Sequence, residues 1–233
     1  MRRIQRCIQD LSHLIFPIQC MGCEAPLDAD EEHICKYCLD HLPTTKHWEQ
    51  TNNPIEQIFW GKLQVVSAAS YLYFSKGGIV QEMLHNLKYN HQLGVGRLLG
   101  KRFGAELAKT PFSDIDLIVP VPLHKDKLRK RGYNQCDPIV EGLSEAIGKE
   151  YCLPALKRTA SNESQTRKGR YERWLNVKSL FKAVEVERIA GKHVLLVDDV
   201  VTTGATLEAC ASALLEVPDV RLSIASIACP ALV

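Results

Sequence analysis

Two adjacent carboxylates, Asp198 and Asp199, stand three residues ahead of a Thr-Thr-Gly-Ala-Thr run in the stretch VLLVDDVVTTGAT, Val194 to Thr206. The hydroxyls of Thr202, Thr203 and Thr206 can donate to an anion. Gly204 lets the backbone come close to one, and Ala205 leads into a helix whose first N–H groups have no intrahelical partner. The carboxylates call for a different partner, either vicinal hydroxyls of a sugar or a divalent cation held by oxygen. A phosphorylated ribose offers both ends. A strand, an acidic turn and a threonine N-cap with no ligand would use similar letters, but several specific residue types in fixed order weigh against it. A nucleoside triphosphatase would also need a phosphate loop. The four Gly-Lys pairs, at Gly61, Gly100, Gly148 and Gly191, are followed by Leu63, Arg102, Glu150 and His193, never by the Ser or Thr such a loop requires.

A second chemistry lies near the N-terminus. Cys20 and Cys23 form one C-x2-C pair and Cys35 and Cys38 another, eleven residues apart. Four thiolates suit a tetrahedral structural zinc site that leaves no position open for catalysis, and the metal could fold a segment too short to bury a core. The spacer is shorter than usual, which keeps His33 and His41 as substitute ligands, and redox-active or merely buried thiols are the plainer alternative. Nine cysteines, an odd number, argue against a disulfide framework.

The elements that must position these groups read as follows. Val194–Val197 is an unbroken apolar run of the kind found in a central parallel strand. After it, Leu207, Cys210, Ala211 and Leu214 share one helix face. Val65–Phe74, Ile115–Val121 and Leu222–Ala228 read as further strands. Val80, Met83, Leu84 and Leu87 mark one helix, and Val95, Leu99, Phe103 and Leu107 a second. Lys88 closes the first of these, where it can cap the terminal carbonyls or reach an anionic ligand, capping being the expectation. A basic loop follows the Ile115–Val121 strand, with Lys125, Lys127, Arg129, Lys130 and Arg131 placed to meet pyrophosphate or a nucleic-acid backbone, or simply solvated. A helix bearing Ile139, Leu143 and Ile147 then stops at Gly148. The polar, basic stretch from Arg158 to Lys178 reads as a lid or binding arm. Strands alternating with helices imply a parallel sheet with right-handed crossovers.

Composition is that of an ordinary globular chain of 233 residues with a formal net charge of +2. No apolar run approaches the ~18 residues of a membrane span. Ile4, Ile8, Leu11 and Ile15 recur at helical spacing, so the opening stretch reads as an amphipathic helix rather than a secretion signal. No transmembrane segment and a cytoplasmic location are expected. Residues 1–50 are expected to form the N-terminal helix and zinc module, 58–233 the larger domain, and 44–54 a linker.

The thirteen-residue signature closely resembles the phosphoribosyl pyrophosphate motif of type I phosphoribosyltransferases. Together with the two C-x2-C pairs, Leu87-Lys88-Tyr89, VPVPLH at Val119–His124, Arg131-Gly132-Tyr133-Asn134-Gln135, and Asn176-Val177 followed by Phe181, it makes almost the whole chain similar to the ComF family of competence proteins. The resemblance implies a type I phosphoribosyltransferase-like α/β fold, a parallel sheet flanked by helices, behind a small four-cysteine zinc module. It implies that Asp198 and Asp199 hold the ribose hydroxyls with magnesium, and that Thr202, Thr203, Gly204, Ala205 and Thr206 take the 5′-phosphate. A role in natural transformation follows from it as well, with single-stranded DNA and the DNA-uptake machinery as partners. Purine-salvage members often carry an acidic residue where this chain has Thr202, which disfavours a purine acceptor. Two functions stay open: an enzyme that displaces pyrophosphate, with no catalytic residue named by the sequence, and a non-catalytic single-stranded DNA binder. The latter would use Lys127, Arg129 and Arg131 on the backbone and Tyr133, Tyr171 and Trp174 as stacking surfaces.

Overall fold

The computed structural model describes residues 18–159 and 180–231. The expected N-terminal helix and all of the expected lid except Arg158 and Thr159 lie outside these residues. Five parallel strands form the main sheet, in the order β1 (Ser67–Phe74), β7 (Arg221–Pro230), β6 (His193–Val200), β2 (Leu117–Pro120), β3 (Glu150–Tyr151). A short antiparallel pair, β4 (Leu156–Arg158) and β5 (Phe181–Ala183), lies apart from it. β6 is central and pairs with β2 on one side and β7 on the other, so its residues from His193 to Asp199 are all buried. Both faces of the sheet are covered, which is why its apolar strands read as continuous runs rather than alternations. The parallel sheet expected from the sequence is the observed one.

Side chains alternate along β6, and this divides the core in two. Leu195 and Val197 face helices α3 (Ile79–Tyr89), α4 (Leu93–Leu107) and α6 (Cys136–Ile147). Val194 and Leu196 face α2 (Pro54–Phe59), α7 (Val186–Ile189) and α8 (Ala205–Leu215). The N-terminal module joins the first of these cores. Cys20, Ile34, Cys35 and Cys38 pack in one cluster with Met83 and Leu87 of α3, and the Asn86 side-chain amide donates to the Met21 carbonyl at 3.1 Å. Helix α1 (Lys36–Asp40) begins on the Cys35 sulfur, which accepts from the Cys38 N–H. Among the described residues, no helix is long and apolar enough to cross a membrane.

The polar stretch 44–54 reads as a linker but is tied to the sheet. β1 is an edge strand with unpaired backbone groups on its outer side, and such edges are normally covered. Thr44 pairs antiparallel with Leu72, Tyr73 donates its N–H to Pro43 at 2.8 Å, and Thr45 donates to Tyr71 at 2.9 Å. Trp48 then packs against Tyr71 and Phe103. Asn53 is buried because its side chain donates to the Ala68 carbonyl at 2.8 Å while its oxygen caps α2.

Helices α4 and α6 meet across glycines next to the expected Val95–Leu99–Phe103–Leu107 stripe. A Cβ at Gly100 would lie 2.2 Å from the Ile139 carbonyl oxygen, and one at Gly142 2.1 Å from that of Arg97. Because backbone cannot step aside as a side chain can, Gly100→Ala should cost about 1–3 kcal/mol by overpacking. That outweighs the better intrinsic helix propensity of alanine. Thermal unfolding checks it: the midpoint should fall by roughly 2–12 °C, and an unchanged midpoint would mean the helices separate freely.

Candidate functional site

β6 carries Asp198 and Asp199 to its carboxyl end, where their carboxylates lie close together. Both are nearly inaccessible, at 8% and 6% exposure. One Asp198 carboxylate oxygen accepts the Asp199 N–H at 2.9 Å and the Cys136 thiol at 3.6 Å. Burial, then the neighbouring Asp199 charge, pushes the Asp198 carboxyl well above the usual range. Asp199 forms an ion pair with Lys88 of α3 and accepts the amide of Gln135, the N-cap of α6, at 3.5 Å. The two carboxylates thus sit in different surroundings, Asp198 against a thiol and an N–H, Asp199 against an ammonium and an amide. Cys136, Asp198 and Asp199 bring their ligand atoms within 4.8 Å of one another.

Immediately after the strand, Val201 is buried and donates its N–H to the Ala228 carbonyl at 2.9 Å, which anchors the start of the turn. Thr202, Thr203, Ala205 and Thr206 are exposed, and with Asp198, Gly204 and Leu207 they line a single concavity. Gly204 takes φ +77° at the N-cap of α8. A Cβ there would lie 2.4 Å from the Ile58 methyl of α2, so both backbone conformation and the buttressing helix demand glycine. α8 thus starts with its unpaired N–H groups beside the concavity, a geometry that favours an anion.

The structure brings Asp198, Asp199 and Thr202–Thr206 together, and it revises the surroundings. Lys88 does not cap its own helix. It reaches across to Asp199, and helical periodicity carries no signal for such a contact. The basic "loop" is a helix, α5 (Lys125–Arg131), capped at its start by the His124 side chain and at its end by Gly132 in the left-handed region. Lys127 and Arg129 stand exposed on it, away from the carboxylates. Arg131 alone links to the site: it donates to Gln135, which reaches Asp199, and its guanidinium lies 5.3 Å over the Tyr89 ring. Gln135 and Cys136 are the site residues that pattern reading missed. The Leu87-Lys88-Tyr89 and Arg131–Gln135 motifs flagged their neighbourhood but gave no role.

The second cluster is the four cysteines, whose sulfurs all lie within 4.8 Å of one another. Cys20 accepts backbone N–H groups from Gly22 at 3.4 Å and Cys35 at 3.3 Å. Burial alone would raise its pKa, but the hydrogen bonds outweigh burial and bring it down to about 7. Burial pushes the Cys35 and Cys38 thiols up. A group of sulfurs this close favours thiolates only with a cation among them. The two histidines are engaged elsewhere. His41 stacks on Tyr37 at 4.2 Å and holds the Tyr37 carbonyl, while the His33 ring sits against Gly94 of α4.

Residues 152–229 match the family model described as a phosphoribosyl transferase domain. The chain is 31% identical over 137 residues to the DNA utilization protein YhgH of Escherichia coli (strain K12), a match covering 57% of this chain and 60% of that one. It is 26% identical over 199 residues to the competence protein ComFC of Bacillus subtilis (strain 168), covering 84% and 78% respectively. The corresponding figures for the competence protein F of Haemophilus influenzae are 23% over 213 residues, covering 82% and 88%. The match to the DNA utilization proteins thus spans about 60% of their length. With a four-cysteine cluster packed ahead of a five-stranded parallel sheet that bears the Asp-Asp and Thr-Thr-Gly-Ala-Thr elements, the chain carries a phosphoribosyl transferase domain and is similar over most of its length to competence proteins of the ComF type.

Proposed function

We propose that the concavity at the end of β6 binds a phosphoribosyl ligand, phosphoribosyl pyrophosphate in the first instance. Asp198 and Asp199 receive the ribose hydroxyls, and Thr202–Thr206 with the start of α8 receive the 5′-phosphate. The observation that carries this reading is the buried carboxylate pair running directly into an open, glycine-hinged turn, two chemistries that one small ligand satisfies at once. Asp198 and Asp199 are also the residues that would hold magnesium, for which their clustered oxygens are suitable donors. Bound there, the ion would supply positive charge to a pyrophosphate leaving group. Lys88 holds Asp199 in place, and Arg131 holds Gln135. The four cysteines would hold one structural zinc ion. In this reading residues 1–50 form the zinc module and 58–233 the phosphoribosyltransferase-like unit, the protein works in the cytoplasm, and it serves the uptake or use of DNA alongside the uptake machinery.

Calorimetric titration with phosphoribosyl pyrophosphate and magnesium chloride tests the site, and saturable binding is expected. No saturation with that ligand, ribose 5-phosphate or a nucleoside monophosphate would refute it. Release of pyrophosphate on adding candidate bases separates an enzyme from a binding protein.

One observation favours a second reading, a non-catalytic single-stranded DNA binder. α5 is solvent-exposed from Lys125 to Lys130, with Arg131 half-buried, and carries five cations against a single carboxylate, Asp126. Replacing Lys127, Arg129 and Arg131 with alanine should weaken single-stranded DNA binding. It should also flatten the salt dependence, by about 0.7 in slope for each phosphate that is no longer neutralised. An unchanged slope would leave α5 a solvated surface.

A further inference from the structure

The last turn of α3 gathers more aromatic and cationic groups than the phosphoribosyl site uses. Tyr89 is 62% exposed. The Arg131 guanidinium lies 5.3 Å from its ring centroid, and the exposed His85, one turn back on the same helix, lies 4.9 Å from it. Just beyond, His91 meets Tyr133 edge-on at 5.1 Å, and the Tyr133 hydroxyl is fixed on the Leu87 carbonyl. A lone exposed tyrosine is ordinary. Here the ring is instead held by an arginine that is itself held by Gln135, and the preceding residue, Lys88, is the ion-pair partner of Asp199. Exposed rings set beside cations are the surfaces on which unpaired bases stack.

We infer that Tyr89, positioned by Arg131 and flanked by His85, is the stacking floor for a nucleobase of single-stranded DNA whose backbone runs along α5. The inference rests on the DNA-binding reading and names its base-contacting residue. Charge favours a strand over a free nucleotide. Arg131 is the last residue of α5, so the platform continues into four further cations over a helix roughly 10 Å long, more positive surface than one phosphate group needs. Stacking is tolerant of sequence, so the site should accept any base and discriminate against abasic strands.

Fluorescence anisotropy on the full chain tests this, using a labelled oligothymidylate, the same strand made abasic, and thymidine monophosphate. Tyr89→Ala should weaken binding of the base-bearing strand about five- to hundredfold. The salt slope should stay as in the wild type, since every cation that meets a phosphate is still present, and Tyr89→Phe should restore affinity. The abasic strand should bind both proteins equally. Binding of ribose 5-phosphate should be unaffected by Tyr89→Ala, which separates failure here from failure of the phosphoribosyl reading. Equal affinity of wild type and Tyr89→Ala for oligothymidylate overturns the inference, as does a wild type that binds no strand. An effect confined to thymidine monophosphate would likewise overturn it, because the platform would then serve a free nucleotide.

Discussion

Asp198→Asn and Asp199→Asn should both weaken phosphoribosyl binding while moving stability in opposite directions. Each removes a charge-assisted acceptor, which costs roughly 1.5–3 kcal/mol and hence about ten- to hundredfold in affinity. The fold responds to them differently because their surroundings differ. Asp198 is buried beside Asp199 with only an N–H and a thiol to meet it. Its ionisation is therefore a cost in the ligand-free protein, and Asp198→Asn should stabilise it by about 0.5–2 kcal/mol, in keeping with the usual exchange between stability and function. Asp199→Asn strands the partly buried Lys88 ammonium and should cost about 1–3 kcal/mol. The pH dependence follows from the raised pKa of Asp198. In acid, below the ordinary carboxylate value of about 4, the group is protonated in folded and unfolded chains alike and costs nothing. As pH rises above that value only the unfolded chain ionises freely, so the penalty grows until the folded pKa is reached. The melting advantage of Asp198→Asn over wild type should thus vanish below about pH 4 and grow as pH rises above that value. Two substitutions that shift the midpoint in the same direction would contradict the described charge arrangement.

Loss of the zinc proposed for the four cysteines should have its largest effect on the N-terminal module. Structural zinc bound by thiolates contributes an apparent 10–16 kcal/mol at neutral pH, far more than residues 18–42 can gain from Ile34 and the few apolar neighbours they bury. Metal analysis of purified protein should give one zinc per chain, and Cys38→Ala should lose it. Amide exchange across 18–42 should then rise to the unfolded rate. The effect should spread, because Gly22 packs on Met83 and Met21 accepts from Asn86, both on α3, the helix that ends in Lys88. Affinity for phosphoribosyl pyrophosphate should therefore fall too, although no cysteine of the module lines the β6 concavity. A metal-free protein in which 18–42 stays protected from exchange would remove zinc from the account of the fold.

The sequence alone determined the central strand, the acidic end and the glycine turn, because a buried parallel strand must be continuously apolar and a tight approach to an anion needs glycine. Both constraints act within thirteen neighbouring residues. It also determined the cysteine cluster, since ligand chemistry permits few residue types at knuckle spacing. Helix α6 was legible for a similar local reason, with its apolar period closed by Gly148 at φ +74°. The tertiary structure decided what lies more than a few turns away in sequence. Lys88 sits 111 positions before Asp199, and helical periodicity specifies which face is buried but not what a long polar side chain at the helix end will reach. The stretch 44–54 is polar in composition, yet the unpaired edge of β1 recruits it by backbone hydrogen bonds that side-chain letters do not encode. Lys125–Arg131 lacks an apolar stripe because none of it is buried, so its helix is held by its end caps rather than by a packed face. The meeting of Tyr89, Arg131, Gln135 and Asp199 depends on how α3, α5 and α6 converge on the end of β6, and packing across the sheet decides that convergence.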